Sequence, residues 1–188
     1  MPEHPVWGID PSTRRIALAI VPAHGPIIHR TLELGQGTVD APKLAHARAN
    51  MAGWFDSLAQ EHDPGWLWVE EPFGGTTGGR RSTVPPQSQW MLAIVMEAAY
   101  AATGAVANLI RPPEWKRDAV GHGFASKRMT LDWARREHGL VLDCDRCLPD
   151  GKCKGSIAHD IADSIGVAVA GALFAARVSA ASGTVDTR

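Results

Sequence analysis

No apolar run in this chain reads as long enough to cross a bilayer, and the opening MPEHPVWG lacks the basic and hydrophobic parts of a secretory signal. A soluble, intracellular protein with no membrane partner is the expectation. Cysteine is scarce, and the three thiols, Cys144, Cys147 and Cys153, crowd into one short stretch. That argues against a disulfide framework and fits a reducing compartment. Net charge is nearly absent too, at −1 with 21% charged residues, so any nucleic-acid-binding surface has to be local. There is no internal repeat, and the one low-complexity segment is the tail 179–188, expected to fray. At 188 residues the chain suits one substantial core, so a single domain over 1–178 is expected.

What is present is organised around VWGIDPSTRRIALAIV, residues 6–21. It reads as a strand carrying Asp10 to its tip, a turn through Pro11, Ser12 and Thr13, and a second apolar strand over 16–21. The Asp10 carboxylate either caps backbone N–H groups in an Asx turn or stands as a metal ligand at the rim of a sheet. A third strand is expected over 27–34. The spacing of Leu44, Met51, Trp54, Phe55 and Leu58 predicts a helix over 41–61, capped by Asp40. WLWVEEPF, 66–73, is a short apolar strand ending in Glu70 and Glu71, of which alternation lets only one face a given side. A glycine-rich loop, 74–86, carries Arg80 and Arg81. The helix over 87–103 is so apolar that it is either buried nearly all round or covered by a partner chain. Gly104 stops it before a fifth strand over 105–112. A basic segment over 113–139 holds a helix capped by Ser126, and a last helix spans 157–178. This order indicates an α/β domain with a mixed sheet.

The last helix holds an anomaly. Asp160 and Asp163, three apart, share one face of a helix that is otherwise apolar over 161–176. Capping and the helix dipole account for an acid at position 160 but do less for one already a turn inside. Buried carboxylates are costly to ionise without positive compensation. If Asp10, Glu70, Asp160 and Asp163 converge, the all-oxygen set selects hard cations, Mg²⁺ or Mn²⁺. Two such ions about 4 Å apart clamp the attacking and leaving oxygens of a phosphodiester displacement. Around Lys116, Arg117, Lys127 and Arg128 the chain also carries a local positive excess able to neutralise phosphates. Phe73, where the chain enters the glycine-rich loop, is either a lid on the core or an exposed stacking platform.

Four fragments, in order, give the chain a family resemblance: GIDPSTRRIALAIV, VEEPF, RPPEWKRDAVGHGFASKRMTL and HDIADSIGVAVA. Together they resemble the RuvC family of Holliday-junction resolvases. The resemblance implies a ribonuclease-H-like fold with a mixed five-stranded sheet flanked by helices. It implies that Asp10, Glu70, Asp160 and Asp163 bind two Mg²⁺ ions, that Lys116 and Lys127 hold backbone phosphates, and that Phe73 stacks at the junction centre. Arg80 and Arg81 are further candidates for DNA contact. Homodimers acting on branched DNA, with the helix over 87–103 as the dimer contact, complete the implied picture. Glu71 in place of Glu70 as ligand stays open.

The chain also departs from that pattern. Ser12 is followed by Arg14 and Arg15, which either add phosphate contacts or line the turn. The insertion DCDRCLPDGKCKGSIAH lies around 141–156. There Cys144, Cys147 and Cys153, with His159 or His138, form a candidate structural Zn²⁺ site, the alternative being free thiols. His159 falls roughly 100° around the helix from Asp160, so it supports the acids from behind or serves zinc. A short chain with such an insertion suits a phage relative of the bacterial enzymes, acting in the host cytoplasm.

Overall fold

The computed structural model of the protein describes residues 3–35, 40–73, 76–77, 80–81, 83–141 and 156–182. Strands β1 (Val6–Pro11), β2 (Arg15–Val21) and β3 (Ile28–Glu33) form an antiparallel meander, and helix α1 (Ala41–Glu61) follows. Strand β4 (Trp66–Glu70) pairs parallel with β1. The short strands β5 (Thr76–Thr77) and β6 (Arg80–Arg81) make a separate hairpin where the sequence suggests only a loop. Helix α2 (Pro86–Thr103) leads to β7 (Ala107–Ile110), which pairs parallel with β4. The chain ends with α3 (Pro112–Trp115), a π-helical turn over Lys116–Val120, α4 (Lys127–His138) and α5 (Ile157–Ser182). The main sheet has five strands in the order β3-β2-β1-β4-β7.

Local chemistry explains the boundaries. The Asp40 carboxylate accepts from Lys43 N at 2.9 Å, and the Ser126 hydroxyl accepts from Met129 N at 3.3 Å, each meeting an orphan donor in a first helical turn. Gly104 ends α2 with φ +68, a conformation that suits glycine.

Helices cover both faces of the sheet. Trp7, Ile9, Leu18, Leu67 and Val69 point into a core completed by Met51 and Phe55 of α1 and by Met91 and Val95 of α2. Val6, Ala19, Val21 and Trp68 point to the other face, against Ile165 and Ala168 of α5. One of the two readings of α2 is excluded, and two expectations for α5 change. Helix α2 buries one face only, through Met91, Val95, Ala98 and Ala99, and leaves Trp90 and Tyr100 about half exposed at 49% and 56%. Helix α5 runs past 178 to Ser182, so residues 179–182 belong to it. By length and composition α5 does suffice to cross a bilayer, but 67% of its apolar window is buried inside the protein, as in a core helix.

Candidate active site

Alternation along the central strands builds the site. On β1, Val6 and Gly8 face α5, and Asp10 continues that row at the strand's tip. On β4, Trp68 faces α5, and Glu70 continues that row. Because β1 and β4 are parallel with Ile9 opposite Val69, the two acids end neighbouring strands at the same rim. Helix α5 crosses this face with Asp163 nearly buried, at 8% exposure, and Asp160 one turn earlier. The structure therefore brings together Asp10, Glu70, Asp160 and Asp163. Glu71 turns away, accepting from Arg111 Nε at 3.0 Å. Of the two adjacent glutamates, only Glu70 joins the cluster.

Crowding perturbs these groups strongly. Asp10 and Glu70 keep part of their surface open to the cleft, but protein surrounds them on every other side. Burial is accordingly the first cause lifting Asp10 well above the usual carboxylate range, with repulsion from Glu70, Asp163 and Asp160 adding to it. Burial and Asp163 raise Glu70 to about 8, against the Trp115 indole, which donates to Glu70 Oε2 at 2.7 Å and favours the anion. Asp163 is raised to about 6 by burial and Asp160, opposed by Lys116, Lys127 and His159.

The cations are arranged in two ways. Lys116, with Nζ 5.3 Å from the Trp115 ring centroid, and Lys127 at the start of α4 both lower the cost of ionising Glu70 and Asp163. Arg15 serves differently. Its Nη1 donates to Asp160 Oδ2 at 2.7 Å and its Nε to Glu33, so it ties β2 to α5 and β3 and is occupied by acids, not lining the turn alone. Neither Arg15 nor Trp115 carries a sequence signal for these partners, because both contacts are set by tertiary packing.

Among the described residues, no group of three or more His, Cys, Asp or Glu side chains is drawn tightly enough to form a ready-made metal cage. The donor set nevertheless fits a hard divalent cation. All four groups are carboxylates, three have pKa values raised by burial and by one another's charge, and Asp163 Oδ1 is buried with no hydrogen-bond partner. A cleft of about 210 Å³ opens over Asp10 and Glu70, edged by Pro72, Phe73, Val84 and Ser88. A larger cavity of about 310 Å³ lies beside Val21, Ile27, His138, Val169 and Leu173. Its lining is apolar, and it holds none of the clustered acids.

The other candidates divide. Phe73 is 54% exposed at the cleft edge and is not a lid on the core. Arg80 and Arg81 form β6, and their side chains lie outside what the structure describes. Cys144, Cys147 and Cys153 fall outside the described residues altogether. His159 is fully buried and acts electrostatically on Asp163 from within the protein. His138 packs edge-on against Trp133 with ring centroids 5.0 Å apart.

The raised carboxylates predict an unusual pH dependence without metal. A group whose folded pKa exceeds its unfolded value gives stability that is present at low pH and lost as pH rises through the folded pKa. With Glu70 at about 8 and Asp163 at about 6, the melting temperature in EDTA should fall steadily from about pH 5 to about pH 8. Saturating Mg²⁺ should flatten that fall, by compensating the anions of the folded state alone. A thermal melt series with and without Mg²⁺ checks both, and equal slopes would contradict the cation fit.

Neither a protein-family model nor a curated protein matches this chain. Solved structures do. The T. thermophilus RuvC structure in complex with a Holliday junction substrate is similar over 94% of this chain and 96% of that one, at 20% identity and TM-score 0.66. A Thermus thermophilus RuvC structure is similar over 93% and 96%, at 22% identity and TM-score 0.59. The yeast mitochondrial Holliday junction resolvase Ydc2 is similar over 95% and 83%, at 14% identity and TM-score 0.58. At such identities the likeness is one of backbone path and topology, and it runs nearly end to end. The chain has the ribonuclease-H-like fold of the RuvC resolvases, as its four sequence fragments led us to expect.

Proposed function

We propose that this chain is a structure-selective endonuclease that resolves four-way DNA junctions with two divalent cations, Mg²⁺ or Mn²⁺, held by Asp10, Glu70, Asp160 and Asp163. One observation supports it above the rest: three protein-enclosed carboxylates, each with its pKa raised, meet at a sheet rim beside Lys116 and Lys127. Nothing in core packing calls for that arrangement, and its cost has to be returned by a ligand. Bound there, the cations would activate water for in-line attack and stabilise the departing 3′-oxygen, leaving 3′-hydroxyl and 5′-phosphate ends.

The chain's own residues do the rest. The Trp115 indole orients the Glu70 carboxyl at the cleft and favours its anion against burial. Arg15 restrains Asp160 and keeps part of the cluster's charge balanced before cations arrive. Lys116 and Lys127 hold the phosphates on either side of the scissile bond. Phe73, exposed at the cleft edge, stacks on bases at the branch point. The chain acts as a homodimer through the open apolar face of α2, around Trp90 and Tyr100, so that two sites nick opposed strands symmetrically.

Cleavage of a synthetic four-way junction in Mg²⁺, with duplex, flap, fork and RNA–DNA hybrid substrates alongside, tests this. The junction should be cut at least about tenfold faster than any of the others and not at all in EDTA, the scale of a modest substrate discrimination. Preferred cutting of flaps, forks or hybrids would assign the same site to another ribonuclease-H-like activity, and no cutting of any substrate would overturn the nuclease reading.

A further inference from the structure

Among the described residues no aromatic side chain is more exposed than Phe124, at 86%. It is held out to solvent by a loop that is itself well fixed. Gly121 ends the π-helical turn at φ +87, in the left-handed region, and a Cβ on Gly123 would lie 2.9 Å from the Pro113 carbonyl oxygen. Ala125 is buried, and its N–H donates to the His122 carbonyl at 3.0 Å. The Phe124 N–H donates to His122 Nδ1 at 3.2 Å, and the two rings meet edge to face at 6.3 Å.

The surroundings of this ring are cationic. Lys116 and Arg117 precede the loop, and Lys127 and Arg128 follow it. Both lysines act on the acid cluster, which sets the loop at the edge of the candidate site. Arg117 and Arg128 are two-thirds exposed and reach Asp118 and Asp132 at only 3.6 and 3.7 Å, loose pairs that exchange readily for phosphate. An exposed ring within a band of cations suits a polyanion with stackable faces better than an apolar protein surface.

We infer that Phe124 is a second base-stacking residue, its ring face packing on an unstacked nucleobase of the branched DNA while the flanking cations hold the adjoining phosphates. This rests on the nuclease reading above.

The test is binding of a labelled four-way junction in EDTA by wild type, Phe124→Ala, Phe124→Tyr and Phe124→Leu, with duplex as competitor. Phe124→Ala should weaken junction binding about fivefold to a hundredfold at unchanged melting temperature, and Phe124→Tyr should stay within about twofold of wild type, while Phe124→Leu should resemble alanine. Wild-type affinity in Phe124→Ala, or in Phe124→Leu, would overturn stacking. Unchanged junction binding with altered self-association in Phe124→Ala would overturn it in favour of a protein contact. If wild type itself shows no preference for junctions over duplex, the nuclease reading falls and this inference with it. Preference in wild type with no loss in Phe124→Ala removes this inference alone.

Discussion

Asp10→Asn is expected to lower junction cleavage on the order of a thousandfold or more while leaving junction binding intact or tighter. The substitution keeps the side chain's size and removes the ionisable group from a carboxylate that burial and its acidic neighbours hold well above the usual range. Without that charge the site holds cations poorly, so the chemical step fails. Phosphate, itself an anion, meets less repulsion at the sheet rim, so binding does not. The folded protein in EDTA should also melt higher than wild type near neutral pH, because asparagine lacks the carboxyl whose ionisation burial and its acidic neighbours oppose. Cleavage, filter binding and thermal melts on one preparation separate these effects. Full cleavage by the variant would sink the mechanism, and parallel loss of cleavage and binding would point to a folding defect.

Gly8→Ala should produce the largest loss of stability of any single methyl added to the sheet. A Cβ there would lie 2.2 Å from Ala168 N and 2.5 Å from the Ser164 carbonyl oxygen, both backbone atoms of α5. No rotamer change relieves such contacts, so strand and helix must separate and the core between them loses its packing. A cost of about 3 kcal/mol or more is expected, a large share of the roughly 5–15 kcal/mol that holds a domain together. Gly53→Ala supplies the contrast. That glycine sits in α1, exposed and with open space around its Cβ position, so alanine there should stabilise by about 0.5–1 kcal/mol. Urea titrations of the two variants measure both signs. Any Gly8→Ala molecules that do fold should cleave worse than they bind, since Asp10 stands two residues along the same row.

The acids were legible because they break a pattern. A charged residue at the tip of an apolar strand, or inside an apolar helix, costs free energy that packing does not return, and so Asp10, Asp160 and Asp163 stand out by composition alone. The choice between Glu70 and Glu71 was not legible. It depends on which face of β4 meets α5, and Trp66 and Trp68 are as apolar as Leu67 and Val69, so a period of two ranks neither row. The β5–β6 hairpin had its turn signal in Gly78-Gly79, but Thr-Thr and Arg-Arg are too short and too polar to register as strands. The apolarity of α2 announced that it needs covering. How that cover divides between the sheet and open solvent only packing decides, and the same holds for α5, whose apolar window is long enough for a bilayer yet lies mostly buried in the protein.

Helix α5 lies against β1, β2 and β4 at once, and α4 and the π-helical turn close over it. Such a helix cannot loosen by itself, because freeing it exposes the whole of one sheet face. The amides around Asp163 therefore belong to the last cooperative unit to open, exchanging with deuterium only when the entire domain unfolds. Half of the acid cluster is thus mounted on the part of the molecule that moves least, and under the proposed function any adjustment to branched DNA falls to the loops at its rim.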